Sequence, residues 1–368
     1  IGSNGTVLSS DGTDVSWGTV SAGATSIDGM DEGKIGGGSG NFAGGILISH
    51  DGTTGTLNNA YYNTGIGYET FDDITSGDNN TALGFKALEK LTTGSNNVAI
   101  GSGALDAITT QGTNVAVGTS TLGGASNTAS DNTGVGHAVL LANTSGGENT
   151  AVGVNSMQAN TTGGNNTAVG RNSLITNTTG AENVAIGSLA LKDNTTAANN
   201  TAVGTECMKS NTTGTQNTAI GKAAMITSTT GNYNTALGAY SLKLLTTADR
   251  NTAVGWEAGR DVTTGEKNTF VGYGCGNEVT TGGDNTFMGD NAGTNVTTAS
   301  NNTLIGKGAG DAITTSSQNT VVGENASISA HNSQGNEVVV GQGLQGIGYH
   351  QGILGGVNGV YNQGNSTS

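Results

Sequence analysis

The side chains that could do chemistry in this chain are few, and their spacing limits what they can do. Four histidines, His50, His137, His331 and His350, share no metal-ligand spacing, so no zinc-type site is expected. Cys207 and Cys275 stand 68 residues apart, and no Gly-rich stretch has the strand–loop–helix context of a phosphate cradle. Carboxylates such as Glu69, Glu89 and Glu257 fall at variable places and read as solvated surface. Paired threonines, Thr92-Thr93 and Thr161-Thr162, could order ice if aligned on a flat β face, but they adjoin glycines and read first as turns. No catalytic, cofactor-binding or metal-ligating residue is expected from these patterns. The chain does not read as an enzyme, and no cofactor is implied.

The elements that carry these residues follow from one word, Asn-Thr-Ala-Val-Gly or a near relative. It begins at Asn63 and returns every 17 residues to Asn319, sixteen copies in all, with a single 18-residue step from Asn114 to Asn132. A unit this small cannot bury a face alone, so copies must stack as a solenoid. With each Asn as position 1, position 4 is always apolar, from Ile66 to Val322, and position 5 is always Gly, from Gly67 to Gly323. Gly, Asn and β-branched Thr argue against helix. Two short strands per coil are expected, at positions 1–4 and roughly 8–12, turned by the Gly at position 5 and by Thr-Thr-Gly. The fold class is therefore all-β, a parallel β-solenoid or β-roll with 17-residue coils. At about 4.8 Å per coil, sixteen coils make a shaft of about 75–80 Å.

That frame explains the cysteines and the asparagines. Both cysteines occupy the same repeat position four coils apart, about 19 Å. That is too far for an intrachain disulfide, so they read as small buried residues. The Asn at position 1 reads as a ladder of amides bonded from rung to rung. The Asn-x-Thr sequons follow from the same repeat and carry little weight as glycosylation signals. Variable positions 6, 7, 10, 11, 16 and 17 are the expected solvent face.

Positions 3 and 4 are both apolar, yet successive strand residues point to opposite faces. One face fills the coil; the other must meet another chain, and closed threefold symmetry makes a homotrimer the leading expectation. Sizes also exchange along the chain. Position 3 is Ala or Gly from Gly65 to Ala253, then Phe270, Phe287, Leu304 and Val321. Position 9 is Phe, Leu or Met from Phe71 to Leu242, then Gly259, Gly276, Gly293, Gly310 and Ser327. Cores conserve volume, so positions 3 and 9 are expected to touch. Trp256 is expected to fill the gap where Gly259 meets Ala253. The regions read as 1–62, Gly-rich with a degraded coil at Gly45–Ser49; 63–335, the shaft, changing its packing at 258/259; and 336–368, a Gly-rich cap.

Composition excludes several function classes. Sixty-five glycines without a period of three exclude collagen, and the lack of proline fits a backbone used throughout in ladders. A net charge of −15 with no Lys/Arg cluster argues against nucleic acid as a partner. No apolar run is long enough to span a bilayer. The chain opens on Ile1 without a signal-peptide pattern, as a processed or excised piece would.

The word Asn-Thr-Ala-x-Gly-x-x-Ala-Leu-x-x-Asn-Thr-Thr-Gly, as at Asn166–Gly180 with Ser173 in the second Ala place, resembles the repeats of phage tail-fibre proteins. The opening Gly5–Gly18 resembles the segment that often precedes them. The repeat is also similar to the trimeric β-roll head of trimeric autotransporter adhesins, which use shorter coils. The resemblance covers roughly residues 1–341. It implies a virion tail fibre that mediates host attachment, a homotrimer, a tail or surface anchor at the N-terminal end, and a host receptor or glycan as partner. It also implies a self-cleaving chaperone beyond the shaft, a domain not found up to Ser368. The alternatives are a bacterial surface adhesin or extracellular filament, extracellular or at the cell surface, and, less favoured, an ice-binding protein.

Overall fold

The structure is a computed structural model. It describes residues 45–48, 58–124, 127–329, 335–348 and 352–355, together with the backbone of residues 6–10, 15–19, 33–35, 356 and 359–363. Two compact units divide the chain, Ile1–Asn149 and Thr150–Ser368. Each is a parallel β-solenoid, all-β, with one 17-residue repeat per turn.

In the first unit, Ile46–Ile48 begins the ladder. It pairs in parallel with Thr64–Ile66, and like strands follow at Thr81–Leu83, Val98–Ile100, Val115–Val117 and Thr133–Val135. The degraded coil at Gly45 is thus a true rung, with Leu47 buried in the position-3 place. Gly33–Ile35 pairs antiparallel with it, and Thr6–Ser10 pairs antiparallel with Val15–Thr19. In the second unit the ladder runs in register from Thr150–Val152 to Val338–Val340. It then takes Gly352–Gly356, which turns back antiparallel onto Gly359–Gln363.

Each coil holds one strand of three residues, at positions 2–4, rather than two. The expected second strand is a chain of tight turns. In the Asn80 coil, Ala87 N donates to Gly84 O and Leu91 N to Leu88 O, both at 3.3 Å. The same arm still bonds along the stack: Lys86 N donates to Tyr68 O and Leu88 N to Ala104 O. Left-handed residues at positions 7 and 9 cause the difference. Lys86 (φ 59°) and Leu88 (φ 53°) are typical, and the pattern recurs coil after coil. Such φ values cannot continue a strand. At position 5 the glycine φ lies between +126° and +145°, and a Cβ on Gly153 would sit 2.7 Å from the backbone of Gly170. Both reasons require Gly there.

The core is built from positions 3, 8, 9 and 12. Positions 3 and 9 do touch, within a coil and between neighbours. A Cβ on Gly65 would lie 2.7 Å from the Phe71 ring, and one on Gly293 would lie 2.5 Å from the Phe287 ring. The gap at Gly259 is filled by Phe270 from the next coil, 2.7 Å from where a Cβ would sit, with Leu242 on its other side. Trp256 does not fill it; that side chain is exposed. The exchange also relaxes the backbone, because Leu242 and its counterparts hold a left-handed conformation that costs a Cβ-bearing residue roughly 1–2 kcal/mol.

At the C-terminal end Glu337, and not the neighbouring Asn336, takes position 1: its N–H donates to Asn319 Oδ1, and Val338 pairs with Thr320. The step is 18 residues, and Gly341 is then on register.

Candidate functional site

Each strand buries its middle residue and leaves the flanking ones outward. Position 3 is fully buried, from Ala82 to Val339, while position 4 is not. Leu83 is 46% exposed in the first unit, and Leu237 and Met288 are each 45% exposed in the second. The expectation of two buried faces per strand is met on one face only within a single chain. What remains in each unit is a stripe of aliphatic side chains, one per rung, edged by the Thr or Val of position 2. Full burial of such a side chain contributes about 1.5–3 kcal/mol, so covering the half that faces water offers roughly 1 kcal/mol per rung. Beside the stripe, position 6 carries two stacked aromatic pairs, Tyr68–Phe85 with centroids 5.8 Å apart and Trp256–Tyr273 at 4.8 Å.

The position-1 asparagines form the expected ladder inside each unit. Asn200 is representative. Its Oδ1 accepts from both the backbone N–H and the Nδ2 of Asn217, while its Nδ2 donates to Asn183 Oδ1 and Gly214 O. These amides are buried and satisfied, which makes them structure rather than a ligand row.

A second amide row was missed in the sequence. Position 12 is Ile74, Leu91 and Ile108, then Asn in the middle of the chain, then Ser228, then Leu245, Val262 and further aliphatics, all buried. In the second unit Asn177, Asn194 and Asn211 each donate Nδ2 to the Asn one rung before, at 2.8–3.1 Å. Each also bonds a carbonyl of its own turn. The 17-residue spacing of Asn-Thr-Thr or Asn-Thr-Ser was the available signal, but it reads as turn chemistry. The adjoining Thr of position 13 is also committed: Thr161 and Thr178 donate their hydroxyls to the carbonyl one rung on.

The first amide of the inner row is Asn127, in the 18-residue coil. Thr128 follows it and bonds Thr144 O, as the Thr of position 13 does elsewhere. The rung before offers Ile108, so Asn127 Nδ2 is buried with no partner among the described residues. Asn127 is 2% exposed. It lines a cavity of about 680 Å³ with Lys86, Glu89, Lys90, Asp106 and Gly123 among its walls. Asp106 Oδ1 is likewise buried and unpartnered among the described residues. Burial first, and the Glu89 charge second, push its carboxyl above the usual value.

The acidic residues read as solvated surface are partly covered and paired. Lys86 Nζ lies 2.8 Å from Glu69 Oε2 and 3.1 Å from Glu89 Oε1, and Glu257 pairs with Arg260 at 3.1 Å. Hydrogen bonds to Glu69 and then Glu89 raise the Lys86 ammonium above its ordinary range. Cys207 and Cys275 are buried free thiols, and burial pushes both up to about 12. His50, His331 and His350 lie outside the described residues, as do parts of the Gly5–Gly18 segment. No group of three His, Cys, Asp or Glu that could hold a metal occurs among the described residues. No helix there is long and apolar enough to cross a membrane. Comparison with protein-family models and with curated proteins finds no match to this chain.

Proposed function

We propose that this chain is the shaft of an attachment fibre, a virion tail fibre in which three copies pack side by side through the position-4 stripe. The observation that carries this reading is that stripe. A partly exposed apolar side chain stands outward on every full rung, up to 46% exposed at Leu83. A globular partner would meet a few rungs; a second copy of the same solenoid has the same rung spacing and meets all of them. Three copies close the contact without leaving an open face. The similarity of the Asn-Thr-Ala-x-Gly word to phage tail-fibre repeats supports the virion setting, with an anchor at the N-terminal end and a host receptor or glycan as target. The satisfied position-1 amide ladder suits a mechanical role rather than catalysis.

Mass spectrometry of purified virions tests the setting: peptides of this chain are expected among the virion proteins. Their detection instead in bacterial surface fractions would favour the second reading, an adhesin or extracellular filament, which the same stripe supports equally well. Ice binding loses support because the position-13 hydroxyls are already bonded to backbone. Absence of thermal hysteresis is the expected result.

A further inference from the structure

Position 6 lies just past the glycine turn, and four successive rungs of the second unit carry Lys222, Ala239, Trp256 and Tyr273 there. We infer that the opening over Ala239 is a binding site for an acidic saccharide, a sugar ring that bears a carboxylate. The site depends neither on how many copies assemble nor on what the chain is attached to.

The opening follows from residue sizes along one column. Trp256 and Tyr273 stack with centroids 4.8 Å apart and planes 15° apart, so Tyr273 covers one face of the indole. The other face looks toward the preceding rung, where Ala239 offers only a methyl group. Backbone bonds hold these rungs in register: Tyr240 N–H donates to Lys222 O, and Glu257 N–H to Ala239 O, both at 3.0 Å. Two rung spacings, roughly 9.6 Å, thus separate Lys222 from Trp256, and one ring fits on the indole between them. The platform is open to a ligand, since Trp256 is 41% exposed and Tyr273 53%.

Two cations stand beside the opening. Lys222 Nζ and Lys243 Nζ lie 5.8 and 5.5 Å from the centroid of the Tyr240 ring, next to Ala239 in the chain. Neither has a carboxylate within ion-pair distance among the described residues. Lys192, Lys209 and Arg260 on nearby coils are each paired, at 2.7–3.1 Å. A uronate matches both parts: its C–H face lies on the electron-rich face of the indole, and its carboxylate pairs with the ammonium groups. Other classes fit less well. A neutral sugar leaves the ammonium groups unused, a divalent cation is repelled by them, and a nucleic acid meets a chain of net charge −15.

The test is saturation-transfer NMR on the full chain with glucuronate and galacturonate, each titrated beside glucose and galactose. Trp256→Ala removes the platform, and Ala239→Tyr extends the stack and closes the opening. Both fall at a position that holds Ser102 in one coil and Phe85 in another, so the fold is expected to stand; circular dichroism checks each variant. At least one uronate should bind at millimolar concentration, about fivefold or more tightly than its neutral counterpart. Its affinity should fall about tenfold or more in each of the two variants. Lys222→Gln combined with Lys243→Gln should abolish the preference for the uronate. The inference is overturned if neither uronate binds, if the neutral sugars bind as tightly, if either folded position-6 variant binds as the parent does, or if the preference survives loss of both lysines.

Discussion

Phe270 occupies the space that a side chain on Gly276 would need: a Cβ there would lie 2.5 Å from the ring. The same ring closes over Gly259, one coil earlier. One aromatic from the strand thus replaces two large residues on the turn arm, and the packing of the second unit changes at that point.

Phe270→Ala should therefore cost about 3–5 kcal/mol through the cavity it leaves. Gly276→Leu alone should cost about 1–3 kcal/mol by overpacking. Combined, the two changes restore the pairing used by earlier coils, so the double variant should be more stable than the sum of the single losses. A double-mutant cycle from urea unfolding reads the coupling; additive losses would show that the two positions do not share one space.

Asn200→Ala removes four bonds of the outer ladder and orphans buried partners on both neighbouring rungs. A loss of about 3 kcal/mol is expected. Asn200→Asp should lose more, since a carboxylate would face the carbonyl of Gly214. Hydrogen exchange localised to residues 183–217 is the direct readout.

Asp106 gives the first unit a pH dependence of definite sign. Its carboxyl is raised above the ordinary 3.8 by burial and by Glu89. The folded state therefore binds that proton more tightly than the unfolded chain does. Stability falls as pH rises from the ordinary value through the raised one, and levels off above it. Asp106→Asn should remove this loss, so its unfolding midpoint should exceed the parent's at neutral pH by more than it does near pH 3.

Cys207 and Cys275 should not react with a thiol reagent at neutral pH while the chain is folded, because burial holds both thiols near 12. Two equivalents should react on denaturation. Prompt reaction of either in the native state would contradict its place in the core.

Much of this fold was legible in the sequence, for definite reasons. Asn at position 1 and Gly at position 5 recur without exception because each meets its own copy one rung away, so the pattern alone carries the contact. The exchange between positions 3 and 9 was readable because volume is conserved. The turn arm was not readable: Leu88, Leu105 and Leu140 hold left-handed φ, and no propensity rule expects Leu there. The inner amide row hid for a similar reason, since Asn-Thr-Thr-Gly is also a turn signal. The buried, unpartnered Asn127 Nδ2 was not readable either: it belongs to the one irregular coil, the 18-residue step after Asn114, where the 17-residue register gives no guide. Trp256 misled because size alone was considered; the strand's alternation sends Phe270 inward, while position 6 lies beyond the turn and outside.

The central claim is that the position-4 stripe joins three copies. Light scattering of the purified chain at micromolar concentration tests it most directly. Three copies of 36.2 kDa give about 109 kDa, and Ile220→Lys with Leu237→Lys, both on the exposed stripe, should lower that mass while a folded far-ultraviolet spectrum persists. A well-folded parent chain that scatters as a 36.2 kDa monomer would contradict the claim.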